Sequence, residues 1–369
     1  MSKKVLFIAP RFHTNQFFLT KNLLKKKIAV AFLSIYQGGS ENHKYLKPIF
    51  SKPSILVNWF IKNKKDAKIP KNRYFLRKYH LSSFRQCKRI YNEFNPDIVI
   101  IRNLRLLISI QHLIIGLILR KKIFIYSLNN YRQNIGFSRK LVANTLKLFG
   151  VKHYTPVFGD VSKPVMPNTY YIPMVMDKLV VKESILSKIY NPGIQIATVG
   201  KMVERKKLRE LVESLIRIKF FDNRENKLII ISECIGEKHE QYLDTIPKKE
   251  NQIIFHLNIK HEIVFKLYES SDLFILPSFN EPAGTSLVEA LASGLAVVCS
   301  DTNGTKGYID EGINGHVFKS TEDFYDLDMV LSKIMDKNLL INYGMESLRI
   351  IEENHSIDKF YDLVINNGY

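Results

Sequence analysis

Two glutamates eight positions apart, Glu281 and Glu289, flank the small residues Gly284, Thr285 and Ser286 in "SFNEPAGTSLVEALASG". Leu287, Ala290 and Leu291 follow at helical spacing and Gly294 supplies a stop, so the small residues sit at a helix N-terminus. Free N–H groups at such an end can cradle a diphosphate. Two acids beside a bound anion repel it unless each binds hydroxyls, and a nucleotide-sugar carries hydroxyls on both sides of its diphosphate. Taken alone, the pair reads better as a capping acid and a surface acid.

A second constellation lies upstream. Gly200 ends the apolar run "IQIATVG", and Lys201, Arg205, Lys206 and Lys207 crowd the following turn, "KMVERKKLREL". A helix start favours acids, so cations gathered there are unfavourable unless they meet an anion. The competing reading is a basic turn facing solvent.

These residues must be positioned by something, and the chain alternates apolar strands with helical patterns twice over. Residues 4–10, 28–34, 97–103 and 123–128 read as parallel strands of one lobe; 194–200, 227–233, 253–258, 273–278 and 296–300 repeat the rhythm in a second. Strand–helix alternation implies α/β lobes with doubly wound sheets, and ligands of such sheets bind beyond the carboxyl ends of the strands. A length of 369 residues exceeds what one core organises and suits two domains. Prolines in "SKPVMPNTYYIPMVMDK" put the hinge near Pro173 to Asp177.

Charge divides the chain. Residues 1–175 hold 32 Lys and Arg against 5 Asp and Glu, a net of +27, whereas the remainder holds 23 against 30, a net of −7. Such asymmetry suits docking of the first half on an anionic surface. Cations alternate with Trp59, Phe60, Tyr74, Phe75 and Tyr79 in residues 59–89, a pattern that fits a membrane surface better than a solvated helix face. No helix-turn-helix, zinc-finger or RNA-binding aromatic motif accompanies it, so nucleic acid is not expected. Residues 106–119, "LLISIQHLIIGLIL", fall short of a membrane span and contain Gln111 and His112; a buried helix is expected. Cys87, Cys234 and Cys299 form no close pair or metal-ligand spacing. With a strand-length apolar run at the N-terminus that lacks a cleavage site, they suit a reducing cytoplasm rather than export.

The chain resembles the retaining glycosyltransferases of family 4, the group 1 enzymes of the GT-B architecture. "EPAGTSLVEA" meets the family's Glu, glycine turn and second Glu; "LASGLAVVCSDTNGTKGYIDEGINGHVF" follows it, "LYESSDLFILPS" precedes it, and "VGKMVERKK" is similar to the family's Gly-Arg and Lys-Gly loop. The resemblance is specific over 194–320 and general in layout before that. It implies two Rossmann-like lobes with an interdomain cleft: an acceptor-binding domain over 1–174, a nucleotide-sugar-binding domain over 175–345, and a C-terminal helix over 346–369 packing back towards the first lobe.

It also implies roles. Lys201 and Lys206 would neutralise the donor diphosphate as it departs, Glu281 would contact hydroxyls of the transferred sugar, and Glu289 would bind the ribose. Gly200 and the N–H groups of Gly284, Thr285 and Ser286 would border the phosphates, with Asn258 and Ile259 beside the base. Several positions depart from the family: Lys201 stands for an arginine, Lys207 for a glycine, and Asn129 and Asn130 for the usual histidine after the fourth strand. His13, after the first strand, is the acceptor-side candidate, with a surface histidine the alternative. The one D-x-D, Asp326 to Asp328, reads as a helix start rather than a metal site, and neither metal nor cofactor is expected.

The expectation is therefore transfer of a hexose or N-acetylhexosamine from a UDP- or GDP-sugar to a lipid-linked surface-glycan acceptor of O-antigen, capsule or lipopolysaccharide type. The enzyme would act as a peripheral protein on the cytoplasmic face of the cell membrane. Two other classes stay open: a non-catalytic homologue that holds membrane or nucleic acid, and a GT-B sugar-nucleotide epimerase.

Overall fold

The computed structural model describes residues 3–38, 41–63 and 78–366. Tyr74, Phe75 and the cations between residues 64 and 77 lie outside the described residues. Contacts divide the chain into two units, Met1–Val175 with Ile357–Tyr369, and Met176–Ser356.

In the first unit, seven strands form an all-parallel sheet: β1 (Lys4–Ile8), β2 (Ala29–Ser34), β3 (Ile49–Phe50), β4 (Ile98–Arg102), β5 (Lys122–Tyr126), β6 (Lys152–Thr155) and β7 (Thr169–Tyr171). Their spatial order is β3-β2-β1-β4-β5-β6-β7. The central strands are continuous apolar runs because both faces are covered. Phe7, Phe32, Phe124 and Tyr154 meet the Thr14–Lys25 helix and Phe360, Val364 and Ile365 of the C-terminal segment on one side. Leu6, Ile101 and Ile125 meet Ile90, Ile108 and Leu146 on the other. Lys26 joins Asp358 at 2.9 Å, and the Lys3 ammonium donates to the Ile365 carbonyl. Of the expected C-terminal helix from 346, residues up to Asn354 complete the Lys337–Asn354 helix of the second unit, and the part from Ile357 clusters with the first.

The Leu107–Ile118 helix departs from the expectation of burial. Only Ile108, Ser109, His112 and Gly116 are buried, while Ile110, Ile114 and Ile118 face solvent. The sheet is covered by a single layer of helices here, so one stripe of each helix meets it and the opposite stripe lies outside. The two polar residues that seemed to interrupt the apolar run are structural. Gln111 exchanges hydrogen bonds with the backbone of Ser82 at 2.8 and 2.9 Å, and His112 bonds Ser82 Oγ at 3.3 Å and Tyr91 Oη at 3.2 Å.

The second unit has six parallel strands: β8 (Gln195–Lys201), β9 (Lys227–Glu233), β10 (Ile253–Leu257), β11 (Leu273–Leu276), β12 (Ala296–Ser300) and β13 (Gly315–Phe318). The order β10-β9-β8-β11-β12-β13 reverses between β8 and β11, so the chain leaves those neighbours in opposite directions and a crevice opens beyond their carboxyl ends. Leu208, Leu211 and Leu215 of the Leu208–Arg217 helix and Leu327 and Leu331 of the Tyr325–Ile334 helix fill one face. Asp326 and Asp328 begin that second helix. Asp326 accepts the Lys319 N–H at 2.6 Å and Asp328 holds Arg217 of the Leu208–Arg217 helix at 2.6 Å.

The Thr285–Ala292 helix is fixed from behind. Gly294 ends it in the left-handed region at φ 65°, and Gly344 of the Lys337–Asn354 helix packs on that turn so closely that a Cβ there would lie 2.3 Å from the Gly294 carbonyl oxygen. Alanine is intrinsically the better helix former by about 1 kcal/mol. Gly344→Ala should nevertheless destabilise the protein by about 1–3 kcal/mol, because backbone has to move. Thermal denaturation should record a melting point several degrees lower; an unchanged one would mean that the two elements slide apart without cost.

Candidate functional site

The crevice at β8 and β11 is built from three loops. Beyond β8, Gly200 lies under the Lys206 stem, since a Cβ on it would come 3.1 Å from Lys206 Cδ. The short Glu204–Lys206 turn follows, and then Lys207 at φ 54°, a left-handed position that glycine adopts without steric cost. The departure from the family glycine is thus a lysine held in glycine's conformation. Its ammonium pairs with Glu210 at 2.7 Å and lies 5.4 Å from the centre of the Phe279 ring.

Beyond β11, the chain turns at Asn280, also left-handed, and presents Glu281. Arg205 and Lys206 both reach its Oε2, at 3.0 and 2.5 Å, and neither takes Oε1. Arg205 is further held by the Phe279 N–H, which donates to its carbonyl at 3.1 Å. The Glu281 carbonyl accepts the Gly304 N–H at 2.8 Å, and Thr302 Oγ1 accepts the Asn280 N–H at 3.1 Å, so the loop beyond β12 braces the glutamate from its other side. Both Glu281 and Lys206 are largely shielded.

The helix N-terminus follows directly. Gly284 precedes the Thr285–Ala292 helix, which has no side-chain cap and no acid in its first turn. A Cβ on Gly284 would come 2.5 Å from Leu276 Cδ2 and 3.2 Å from Asn303 Nδ2. Asn303 is buried and uses its oxygen on Thr305, while its Nδ2 has no hydrogen-bond partner. A buried amide donor without an acceptor is costly, and here it lies beside a helix start that offers further N–H groups.

Glu289 lies within this helix and is buried against His261, the first residue of the His261–Glu269 helix, with Nε2 and Oε1 3.0 Å apart. Burial pulls the His261 pKa down most strongly. The charge of Glu289, the hydrogen bond to it and the charge of Glu262 together outweigh that effect and raise it above the ordinary value. Neither glutamate is therefore the capping acid or surface acid of the bland reading: one is charge-matched by two cations and the other is buried against a histidine.

Other expected residues are deployed differently. Lys201 pairs with Glu233 at 2.9 Å, opposite it in the β8–β9 register and on the side of β8 away from β11. Asn258, left-handed at φ 55°, spends its side-chain amide on the backbone of Cys234 at 2.9 and 2.8 Å, which ties the loops beyond β9 and β10 together. Ile259 follows it in the same loop. In the first unit His13 precedes the Thr14–Lys25 helix. Burial, then the charges of Arg102 and Arg11, lower its pKa to about 3, so its ring is neutral.

Arg205 was named among the cations of its turn but given no role, and His261 was missed altogether, since it lies 28 positions from its partner and no local spacing marks it.

Two Rossmann-like units of this kind define the GT-B architecture, and solved structures share it. The chain matches a glycosyltransferase from Rickettsia africae at 15% identity with a TM-score of 0.69, covering 99% of each chain. It matches Anabaena HepE in complex with UDP at 14% identity with a TM-score of 0.63, covering 97% of each. Residues 185–346 match the family model described as glycosyl transferases group 1. One curated relative is the N,N'-diacetylbacillosaminyl-diphospho-undecaprenol alpha-1,3-N-acetylgalactosaminyltransferase of Campylobacter jejuni, 31% identical over 31% of this chain and 32% of its own length. The chain spans less than half the length of such curated relatives.

The His261–Glu289 pair carries a pH signature. A histidine pKa raised on folding adds stability that is fully present below the unfolded value and is lost as pH rises through the folded value. His261→Gln should therefore lower the melting temperature more at about pH 5.5 than at about pH 8.5. A difference from wild type independent of pH would show that the pair is not charged.

Proposed function

We propose that this chain is a retaining glycosyltransferase whose second unit holds a nucleotide-sugar and whose first unit holds the acceptor. The observation that carries this reading is the uncapped, acid-free start of the Thr285–Ala292 helix, bordered by the unpartnered Asn303 Nδ2 and by a glutamate already matched by Arg205 and Lys206. A diphosphate accepts from the N–H groups of Gly284 and Ser286, and from that of Thr285 when it exchanges the Ala283 carbonyl it bonds at 3.1 Å, and the two cations offset its charge. Glu281 has Oε1 left for a hydroxyl of the sugar, and Glu289, aligned by His261, takes the ribose. Uridine is the favoured base, since Anabaena HepE is described with UDP, and a guanosine donor is the alternative.

In the reaction the bond between the anomeric carbon and the diphosphate oxygen breaks and its electrons stay on that oxygen. Lys206 and Arg205 stabilise the charge that builds there. The acceptor hydroxyl bonds to the anomeric carbon on the face the diphosphate leaves, and its proton passes to the departing phosphate oxygen. Lys201 joins in only by exchanging Glu233 for phosphate, so it contributes less. On the acceptor side, the neutral His13 ring serves as a hydrogen-bonding group rather than as a base, with Arg11 and Arg102 nearby to meet an anionic acceptor.

The acceptor class we infer is a lipid-linked surface glycan. The +27 charge of residues 1–175 supports work at the anionic cytoplasmic face of a membrane, and the Campylobacter relative is named for a diphospho-undecaprenol acceptor. Among the described residues no helix is long and apolar enough to cross a membrane, which is compatible with peripheral attachment.

A thermal-shift series with UDP, GDP and their sugars tests the donor assignment. One nucleotide family at about a hundred times its dissociation constant should stabilise the wild type by about 2.7 kcal/mol, and Glu289→Ala should lose most of that shift. Glu281→Gln should keep nucleotide binding but lose transfer by at least about a hundredfold. Absence of any nucleotide shift in folded wild type would overturn the donor site; conversion of the donor to an isomer without an acceptor would replace transfer by epimerisation.

A further inference from the structure

Two neighbouring helices of the first unit carry a second apolar stripe that the fold leaves unused. On the Leu107–Ile118 helix, Ile110, Ile114 and Ile118 recur at four-residue spacing, and their exposure rises from 39% to 51% to 73%. They lie on the side opposite the buried Ile108, His112 and Gly116. The Phe137–Leu148 helix is the more extreme, since only Ala143 and Leu146 are buried. Phe137, Leu141 and Leu148, at helical positions one, five and twelve, project from the opposite side with exposures of 82%, 57% and 87%. Both helices cover the same face of the sheet, through Ile108 and Leu146 in one core cluster. Their outward stripes therefore belong to one outer layer, and an apolar surface of that extent ordinarily has an occupant.

The charges around the stripes decide which occupant fits. From residue 98 to residue 159 the chain has ten Lys and Arg and no Asp or Glu. Lys140 and Lys147 flank the stripe of the Phe137–Leu148 helix, and Arg120 and Lys121 follow the end of the other. A second copy pairing through this face would set the same cations against each other with no carboxylate between them. A bilayer containing anionic lipid satisfies both halves of the pattern, taking the isoleucines, leucines and phenylalanine among its acyl chains while lysines reach the phosphates. At twelve residues each, the helices are too short to cross and would lie in the interface.

We propose that the outer stripes of the Leu107–Ile118 and Phe137–Leu148 helices form the surface by which the first unit docks on an anionic lipid bilayer. This deepens the membrane part of the proposed function and rests on it, but uses none of the donor chemistry.

Co-sedimentation of the full chain with vesicles tests it, using pure phosphatidylcholine and phosphatidylcholine containing about one third phosphatidylglycerol. Wild type should partition onto the anionic vesicles and much less onto the neutral ones. The double variants Ile114→Ser/Ile118→Ser and Leu141→Ser/Leu148→Ser, which alter exposed positions and should keep the wild-type melting temperature, should each lose about tenfold in partitioning. Lys140→Glu/Lys147→Glu should lower binding and its salt dependence together. Equal binding of wild type and both serine variants would overturn this face while leaving a membrane partner in place. No wild-type binding would overturn both, and a concentration-dependent dimer abolished by the same substitutions would assign the stripes to self-association. UDP thermal shifts on the same samples report separately on the donor site.

Discussion

A parallel sheet whose strand order reverses leaves two adjacent strands with connections running to opposite faces, and between them nothing covers the strand ends. That constraint governs the second unit. The loops beyond β8 and β11 meet at the reversal, so Lys206 and Arg205 from one and Glu281 from the other are brought together although they are 75 and 76 positions apart. The helix after β11 must then begin at the crevice, and its N–H groups face the space left by the sheet. The rest of the unit keeps that helix still, with Gly344 against Gly294 at its far end and Thr302, Asn303 and Gly304 around its entry.

Electrostatics refine this arrangement. A basic turn at a helix start looked as though it required an external anion, but the protein supplies carboxylates of its own: Glu233 for Lys201, Glu281 for Lys206 and Arg205, and Glu210 for Lys207. The start of the Leu208–Arg217 helix is also occupied, since the Tyr242 hydroxyl accepts from the N–H groups of Leu208 and Arg209 at 3.0 and 3.3 Å. The anion-ready end is the other one, before Thr285, where no side chain intervenes. A positive loop can thus be held in readiness by its own acids, and under the proposed function an incoming diphosphate competes with them rather than filling an empty well of charge.

Much of this was legible in the residues because fully buried parallel strands leave continuous apolar runs. β8, β9, β11, β12, β1, β2, β4 and β5 carry that mark, and β10, half-buried at its sheet edge, was legible through its apolar residues. The strands that escaped were the short or polar ones, β3 (Ile49–Phe50), β6 (Lys152–Thr155), β7 (Thr169–Tyr171) and β13 (Gly315–Phe318), which lie towards the sheet edges and whose pairing depends on the neighbour already being in place. The same physics explains the misjudged Leu107–Ile118 helix. Apolar residues on all sides suggest enclosure, yet a helix in an outermost layer shows one stripe whatever its composition. At the site, residue types pointed to Glu281, Lys206 and Glu289, but which carboxylate each cation would choose is a property of loop geometry, as Lys201 illustrates by taking Glu233. His261 was out of reach for the same reason.

The C-terminal segment has a consequence for biosynthesis. Phe360, Val364 and Ile365 pack among Phe7, Phe32 and Tyr154, so the core of the first unit keeps a gap until this segment, which follows the whole of the second unit in the chain, has been made. Domains of a nascent chain generally fold in the order in which they emerge from the ribosome. Here the second unit, contiguous from Met176 to Ser356, can close on its own while the first remains unfinished with apolar residues open to solvent. Residues 1–175 thus complete their core only after the segment from Ile357 has been made, although the unit between them is contiguous.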